Sequence, residues 1–330
     1  MRRVALILSV LLCLSMALIY GLHPDLCSAL TLYPTWTWLV PGLLLVGLGW
    51  SRFTKPFVLV AAILWLLYSV VFVEEFKSLV RFRQLSASDW GAAHQRGKAL
   101  RIVSLNCAGG NKNAAMEALP YQPDIVLFQE SPNRQAVDEL TRLFFNDGGE
   151  SYWKGETSLI VRGHVQPTVL SHPSHFFMEA RVRLKSGIEM EVINLRNITY
   201  PVRADFWSSR CWREQKATRQ TQFAQMRDVV RQTESLSDAI PLIIGGDFNA
   251  PSGDPVFHLL QPRLHDTFKE GGSGWGDTIL NDMPVLRIDQ VWASSHFRAS
   301  AVVAHRTQNS DHRMVICDLL FCASKSDSLP

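Results

Sequence analysis

Three stretches without a single charged side chain, residues 4–20, 26–51 and 56–73, fill the start of this chain. A bilayer core takes about 20 apolar residues per helix, with a lower limit near 17. The first and third stretches meet that limit, and the second meets it if it starts near Leu30. Pro34 and Pro41 lie in the second stretch, where proline is tolerated but bends a helix. A cleaved signal peptide is the competing reading of the first stretch, with Arg2 and Arg3 as its basic start. That run is long for a signal, and two more apolar runs follow it. Buried helices of a soluble domain are the third reading. The expectation is a membrane region over residues 1–73 with about three transmembrane helices, in which Trp36, Trp38, Trp50 and Trp65 suit interfacial or bundle positions.

Charge orients this region. Arg2 and Arg3 precede the first stretch, Arg52 and Lys55 separate the second from the third, and residues 21–33 contain no Lys or Arg. The positive-inside bias places the N-terminus and the 51–55 loop in the cytoplasm. Three spans then leave the rest of the chain outside, on a multi-pass membrane protein, although Lys77, Arg81 and Arg83 pull the other way.

Hydrophobic residues make up 47% of the 330, and the excess is concentrated in those stretches. The net charge of +3 is no nucleic-acid signature. Six cysteines without a C-x-x-C pair argue against a zinc knuckle, and spacing alone chooses no disulfide partners. Residues 74–99 read as a polar connector, helical in part, and residues 323–330 as a tail. Between them, apolar strands are expected at 102–105, 125–128, 158–161, 180–184, 190–195, 242–244, 288–293, 299–304 and 314–320. Helical patterns fall at 114–119, 134–145 and 218–232. The pair 180–184 and 190–195, across Lys185-Ser186-Gly187, reads as a hairpin. Hairpins mixed with crossover helices imply an α/β domain over residues 100–322 with mixed sheets.

Five of these strands carry polar side chains at one end. Ile243-Ile244 runs into Gly245-Gly246-Asp247-Phe248-Asn249, where alternation points Asp247 and Asn249 the same way with Phe248 behind them. The glycines are read as letting backbone approach an ion or phosphate. Asn309-Ser310-Asp311-His312 leads into a second apolar run; Glu130, Asp289 and Asn106 close three others. A lone Asp at a strand end is usually a turn former or helix cap. Glu130 could close a strand before a helix, Asn106 could be a turn residue, and His312 a satisfied half-buried histidine. Gathered together, they make an oxygen-rich pocket for a hard divalent cation.

In this order, Asn106, Gln129-Glu130, Gly246-Asp247-Phe248-Asn249, Ile288-Asp289 and Ser310-Asp311-His312, the chain resembles the endonuclease/exonuclease/phosphatase superfamily with its deoxyribonuclease-like fold. The likeness covers residues 100–320. It implies a four-layer α/β/β/α sandwich whose two mixed central sheets converge on one Mg²⁺-dependent phosphoesterase site, with Mn²⁺ or Ca²⁺ as alternatives. Glu130 is then the principal metal ligand, because Mg²⁺ keeps several waters and takes one or two carboxylates. Asp311 and Asn106 complete or support that shell. Asp247 positions or deprotonates the attacking water, and Asn249 holds phosphate oxygen or water in line. His312 donates to a non-bridging phosphate oxygen, and Asp289 fixes and charges its imidazole.

One departure stands out. Many members have a histidine after the strand that precedes the long helix, and here Val192-Ile193-Asn194-Leu195 is followed by Arg196. Arginine binds phosphate bidentately but is no acid near neutral pH. Arg196 therefore reads as a phosphate clamp. The alternative is a catalytically silent membrane protein that uses the same fold for binding. Trp207-Ser208-Ser209-Arg210-Cys211-Trp212-Arg213 could grip a headgroup, a nucleic-acid strand or the membrane interface, or be a packed surface loop. Asn197-Ile198-Thr199 matches a glycosylation sequon. The substrate is a phosphoester, left open between lipid headgroup, nucleic acid and small molecule; the bilayer is the other partner, and no obligate protein partner is expected.

Overall fold

The computed structural model describes residues 1–81, 87–170, 174–201 and 203–322. The expected tail at 323–330 and Arg83 lie outside the described residues. Four helices open the chain: α1 (Arg2–Leu22), the short α2 (Ser28–Thr31), α3 (Leu39–Gly49) and α4 (Lys55–Phe72). Helices α1 and α4 are each long and apolar enough to cross a membrane. The middle stretch is not one straight helix: segments Asp25–Thr31 and Thr35–Gly49 meet at 80°. The break falls at Pro34, which cannot donate to the preceding turn. At 1.5 Å per residue the 11 residues of α3 run only about 16 Å, short of a bilayer core.

The outer surface of this bundle is leucine, valine and phenylalanine, with Leu8, Leu11, Leu44, Leu48, Val60 and Leu67 all exposed. Its few polar groups turn inward. Ser9 Oγ donates to Gly42 O (2.9 Å) and accepts from Trp65 Nε1 (3.0 Å). Small residues let the helices close: a Cβ at Gly42 would meet the Trp65 ring, and one at Gly49 would meet Leu6 and Arg2 O. Gly49 beside Arg2 places the Arg52–Lys55 loop at the same end of the bundle as the N-terminus. The other end, around Tyr20, Tyr33 and Phe72, meets the second domain.

The connector holds α5 (Glu74–Leu79) and α6 (Ala87–Gln95). Beyond it come β1 (Ala99–Asn106), α7 (Lys112–Met116), β2 (Ile125–Gln129), α8 (Arg134–Phe145), β3 (Glu150–Lys154), β4 (Thr157–Val161), β5 (Gly163–Pro167), β6 (Phe177–Leu184) and β7 (Glu189–Arg196). The chain continues through α9 (Ser209–Glu234), β8 (Leu242–Asp247), β9 (Leu264–Asp266), α10 (Thr267–Gly271), β10 (Asp289–Ser294), β11 (Phe297–His305) and β12 (Met314–Phe321). Two six-stranded sheets result, in the orders β11-β12-β1-β2-β4-β3 and β5-β6-β7-β8-β10-β9. Both are mixed, with β1/β2 and β7/β8 parallel and their other pairings antiparallel. The expected hairpin is β6 and β7.

Alternation along the strands sorts side chains into three apolar layers. Ile102, Ile125, Leu127, Val192, Ile243 and Val291 fill the space between the sheets. Val103, Val126 and Phe128 face the other way, onto Val137 and Leu140 of α8. Ile193, Leu195 and Ile244 pack with Met226 and Val229 of α9. The architecture is the expected four-layer α/β/β/α sandwich. Parity then places Asn106, Arg196, Asp247 and Asp289 on the inner faces, in step with Ile102, Val192, Ile243 and Val291. The core between the sheets continues, at one end, into a polar site.

Candidate functional site

The glycines before Asp247 are required by close packing, Gly245 against the opposite sheet and Gly246 against its own neighbouring strand. A Cβ on Gly245 would lie 2.6 Å from Leu127 Cδ1 of the opposite sheet. Gly246 has φ 136°, and a Cβ there would strike Leu195 O at 2.1 Å. The sheets therefore approach closely just before β8 delivers Asp247. Strand pairing sets Asp289 and Arg196 on either side of it in register.

Asn106 links the two sheets. Its Nδ2 donates to Glu130 Oε1 (3.2 Å) on its own sheet and to Asp247 Oδ2 (3.1 Å) on the other. Behind it, Gln129 Nε2 donates to Asn194 Oδ1 across the same gap at 2.7 Å. Asn249 Nδ2 donates to Asp247 Oδ2 (3.0 Å) and Asn197 O (2.9 Å), while Asn249 N donates to Asp247 Oδ1 (2.9 Å). The Asp247 carboxylate thus receives three hydrogens while almost wholly buried. Burial, and then the charge of Asp289, push its carboxyl up to about 7.

His312 Nδ1 lies 2.8 Å from Asp289 Oδ2. Burial alone would discharge the imidazole, but the carboxylate charge and hydrogen bond outweigh it and raise the pKa to about 10. The backbone around the ring is held by Ser310 Oγ, which accepts from His312 N and donates to Asn106 O (2.7 Å). Thr278 Oγ1 accepts from Asp289 N at 3.1 Å. Asp247, Asp289 and His312 each offer a ligand atom within 4.8 Å of the others.

Glu130 sits at the mouth with φ 43°, as does Asn249 with φ 50°. A left-handed non-glycine residue costs on the order of 1–2 kcal/mol, and such strain collects at functional sites. Gly109 N donates to Glu130 Oε2 (2.6 Å), and Arg196 Nη2 to Glu130 Oε1 (2.7 Å). Burial works against the charged form of Glu130, yet Arg196 and these donors hold the carboxyl below its usual range. Arg196 Nη1 reaches Glu156 Oε2 at 3.0 Å. Glu156 was invisible in the sequence, being an ordinary acid in the β3–β4 turn; only pairing β2 with β4 brings it here.

The structure therefore gathers Asn106, Glu130, Arg196, Asp247, Asn249, Asp289 and His312. Asp311 differs. It is exposed, and among the described residues its side chain makes no hydrogen bond or ion pair. The donor set suits a hard cation: oxygens predominate, and the buried Asp289 Oδ1 has no hydrogen-bond partner among the described residues. Asn197 of the sequon is buried and so closed to glycosylation. All six cysteines are unpaired.

Residues 103–312 match the model of the endonuclease/exonuclease/phosphatase family. Solved structures share the fold at low identity. A family protein of Bacteroides thetaiotaomicron has 14% identity and a TM-score of 0.54, covering 68% of this chain and 98% of its own. A conserved protein of unknown function from Enterococcus faecalis has 16% identity and a TM-score of 0.51, covering 68% and 100%. A mannosyl-6-phosphatase of Bacteroides thetaiotaomicron has 15% identity and a TM-score of 0.50, covering 67% and 100%. No curated protein matches the chain.

Proposed function

The chain belongs to the endonuclease/exonuclease/phosphatase family, whose members hydrolyse phosphoesters, and on that premise we propose a membrane-anchored, metal-dependent phosphoesterase. One observation carries the reading: a buried carboxyl poised at about 7, Asp247, stands within 4.8 Å of an imidazole held charged, His312. A base near neutral pH and a fixed cation are what phosphoester hydrolysis asks of a protein.

Asp247 takes a proton from water as the water oxygen attacks phosphorus in line. The ester P–O bond breaks, and the departing oxygen is protonated from solvent. His312 Nε2 donates to a non-bridging oxygen whose charge grows in the transition state. Asp289 keeps that proton in place. Asn249 and Asn106 hold Asp247 by its Oδ2. Glu130, supported by Asn106, would hold Mg²⁺ or Mn²⁺, which would supply positive charge to a phosphoryl oxygen, while the exposed Asp311 stands apart from them. A charged His312 repels a cation, so the carboxylate at the mouth is favoured as the ligand over the buried Asp247–Asp289–His312 trio. Arg196 offers its guanidinium to the phosphate oxygens.

The apolar outer surface of α1 and α4 supports anchoring in a bilayer. Arg2, Arg3, Arg52 and Lys55 share the bundle end far from the catalytic domain, which favours an extracytoplasmic site. The test is hydrolysis by the purified full chain of DNA, RNA, phospholipid and a simple phosphodiester with Mg²⁺, Mn²⁺ or Ca²⁺. Metal-dependent release of product is expected. Turnover that persists in excess EDTA would overturn the metal-dependent reading.

A further inference from the structure

The bundle end that meets the catalytic domain adjoins the end at which both sheets deliver their polar residues. Tyr33 Oη donates to Arg203 O (3.1 Å), and its ring lies 5.4 Å from that of Phe206. The Trp36 ring is 5.9 Å from Trp275. Arg287, two residues before Asp289, is buried between Glu74 (3.0 Å) and Asp266 (2.6 Å). Pro251, two residues after Asn249, lines a cavity of about 450 Å³ shared with Tyr20 and Tyr33. Tyrosine and tryptophan at the end of a span mark the headgroup level of a bilayer. The loops pinned to them are therefore close to the same plane.

Those loops expose large apolar side chains. Trp207 is 88% exposed, Met283 72%, Leu280 52% and Ile198 43%. Ile198 lies two residues beyond Arg196. Leu280 follows Ile279, which bridges to His312, and Asn281 N donates to Asp311 O at 2.8 Å. A groove of about 900 Å³ lies beside Asp311, between Leu280 and Met283 on one side and His305 and Arg306 on the other. Arg306 is paired with Asp282, so this groove offers no free guanidinium for a polyanionic strand. Of the two tryptophans in the 207–213 segment, Trp212 is satisfied by Phe206 O at 2.8 Å; Trp207 projects outward.

We propose that Trp207, Met283, Leu280 and Ile198 seat the catalytic mouth in the bilayer interface, and that its substrate is the phosphoester headgroup of a lipid in that membrane. The inference rests on the anchored phosphoesterase proposed above, and names its substrate class. An amphipathic rim continuous with membrane helices presents the site to headgroups without extracting a lipid.

The full chain is reconstituted in vesicles of phosphatidylethanolamine and phosphatidylglycerol, as wild type and as a Trp207→Glu/Met283→Glu double variant. Lipid hydrolysis should fall about tenfold or more in the variant. Hydrolysis of soluble bis(p-nitrophenyl) phosphate should stay within about twofold, because neither side chain touches the reacting groups. Brominated lipid should quench wild-type tryptophan fluorescence more than that of Trp207→Phe. Equal losses on both substrates, or no loss on lipid, would overturn the proposal. So would a wild type that cleaves soluble diester or DNA but no vesicle lipid, with the phosphoesterase reading left standing. If neither substrate is cleaved, that reading fails, and unchanged quenching in Trp207→Phe refutes the interfacial placement independently.

Discussion

Arg196 Nη2 lies 2.7 Å from Glu130 Oε1, so a guanidinium caps the carboxylate proposed above as the cation's ligand. On that proposal, metal and arginine would compete for one oxygen. Arg196→Ala should therefore bind Mn²⁺ more tightly by calorimetry while losing catalytic efficiency. Removing one partner of a charged contact costs about 2–5 kcal/mol, or roughly 30-fold and upward. Arg196→Lys should recover only part, lacking the planar fork. Unchanged efficiency in Arg196→Ala would leave the phosphate clamp without support.

Glu130→Gln keeps the shape of the side chain and removes its charge. Metal-dependent turnover should drop by about 100-fold or more, with circular dichroism unchanged. Retained activity at the same Mg²⁺ concentration would move the metal elsewhere.

Asp289→Asn should change a pH profile more than a fold. In the wild type, burial lowers the His312 pKa but Asp289 raises it to about 10, so the ring stays charged from pH 6 to 9. Without that charge, burial is opposed only by the weaker attraction of Asp247 and Asp311, and the pKa falls. The variant should lose its remaining activity at a lower pH than the wild type does, as the imidazole discharges earlier. Stability follows the same sign: the raised pKa contributes fully below about 6.5, and that contribution is lost as pH rises through about 10.

Glu179 makes an independent stability prediction away from the site. Burial, opposed by a hydrogen bond from Gln232 (2.7 Å), raises its carboxyl to about 7. A raised acid favours the fold while protonated, so this contribution is lost as pH rises from about 4.5 through 7. The loss reaches up to about 3 kcal/mol. Glu179→Gln should flatten the decline of Tm between pH 5 and 8, measured by calorimetry; an unchanged slope would refute the assignment.

Topology has its own test. An alkaline phosphatase fused after Pro330 should be active only if exported, whereas a cytoplasmic reporter at that position should be silent. The reverse pattern would place the site in the cytoplasm.

The sandwich was legible because its strands are short apolar runs with strict alternation, and nine of them could be placed from sequence. The strands β3, β5 and β9 escaped: β3 and β5 are edge strands with exposed faces, and β9 has three residues, so none carries an unbroken apolar run. Helix α9 begins at Ser209, well before the expected 218, because Trp207–Arg213 reads as a gripping segment or surface loop while Ser208 in fact caps the helix. In the site, residues at strand ends could be found one by one. Their partners could not: Glu156 meets Arg196 only through sheet pairing, and the packing of Gly245 on Leu127 shows only once the opposite sheet is placed against it.

Asn106 reaches a carboxylate on each sheet with a single amide. The distance between Glu130 and Asp247 is consequently a gauge of how far one sheet has slid over the other. A core change that never touches the site, such as Gly245→Ala against Leu127, should appear first as slowed turnover and only later as a lower melting temperature. On the proposed mechanism, turnover is a strain sensor for the sandwich.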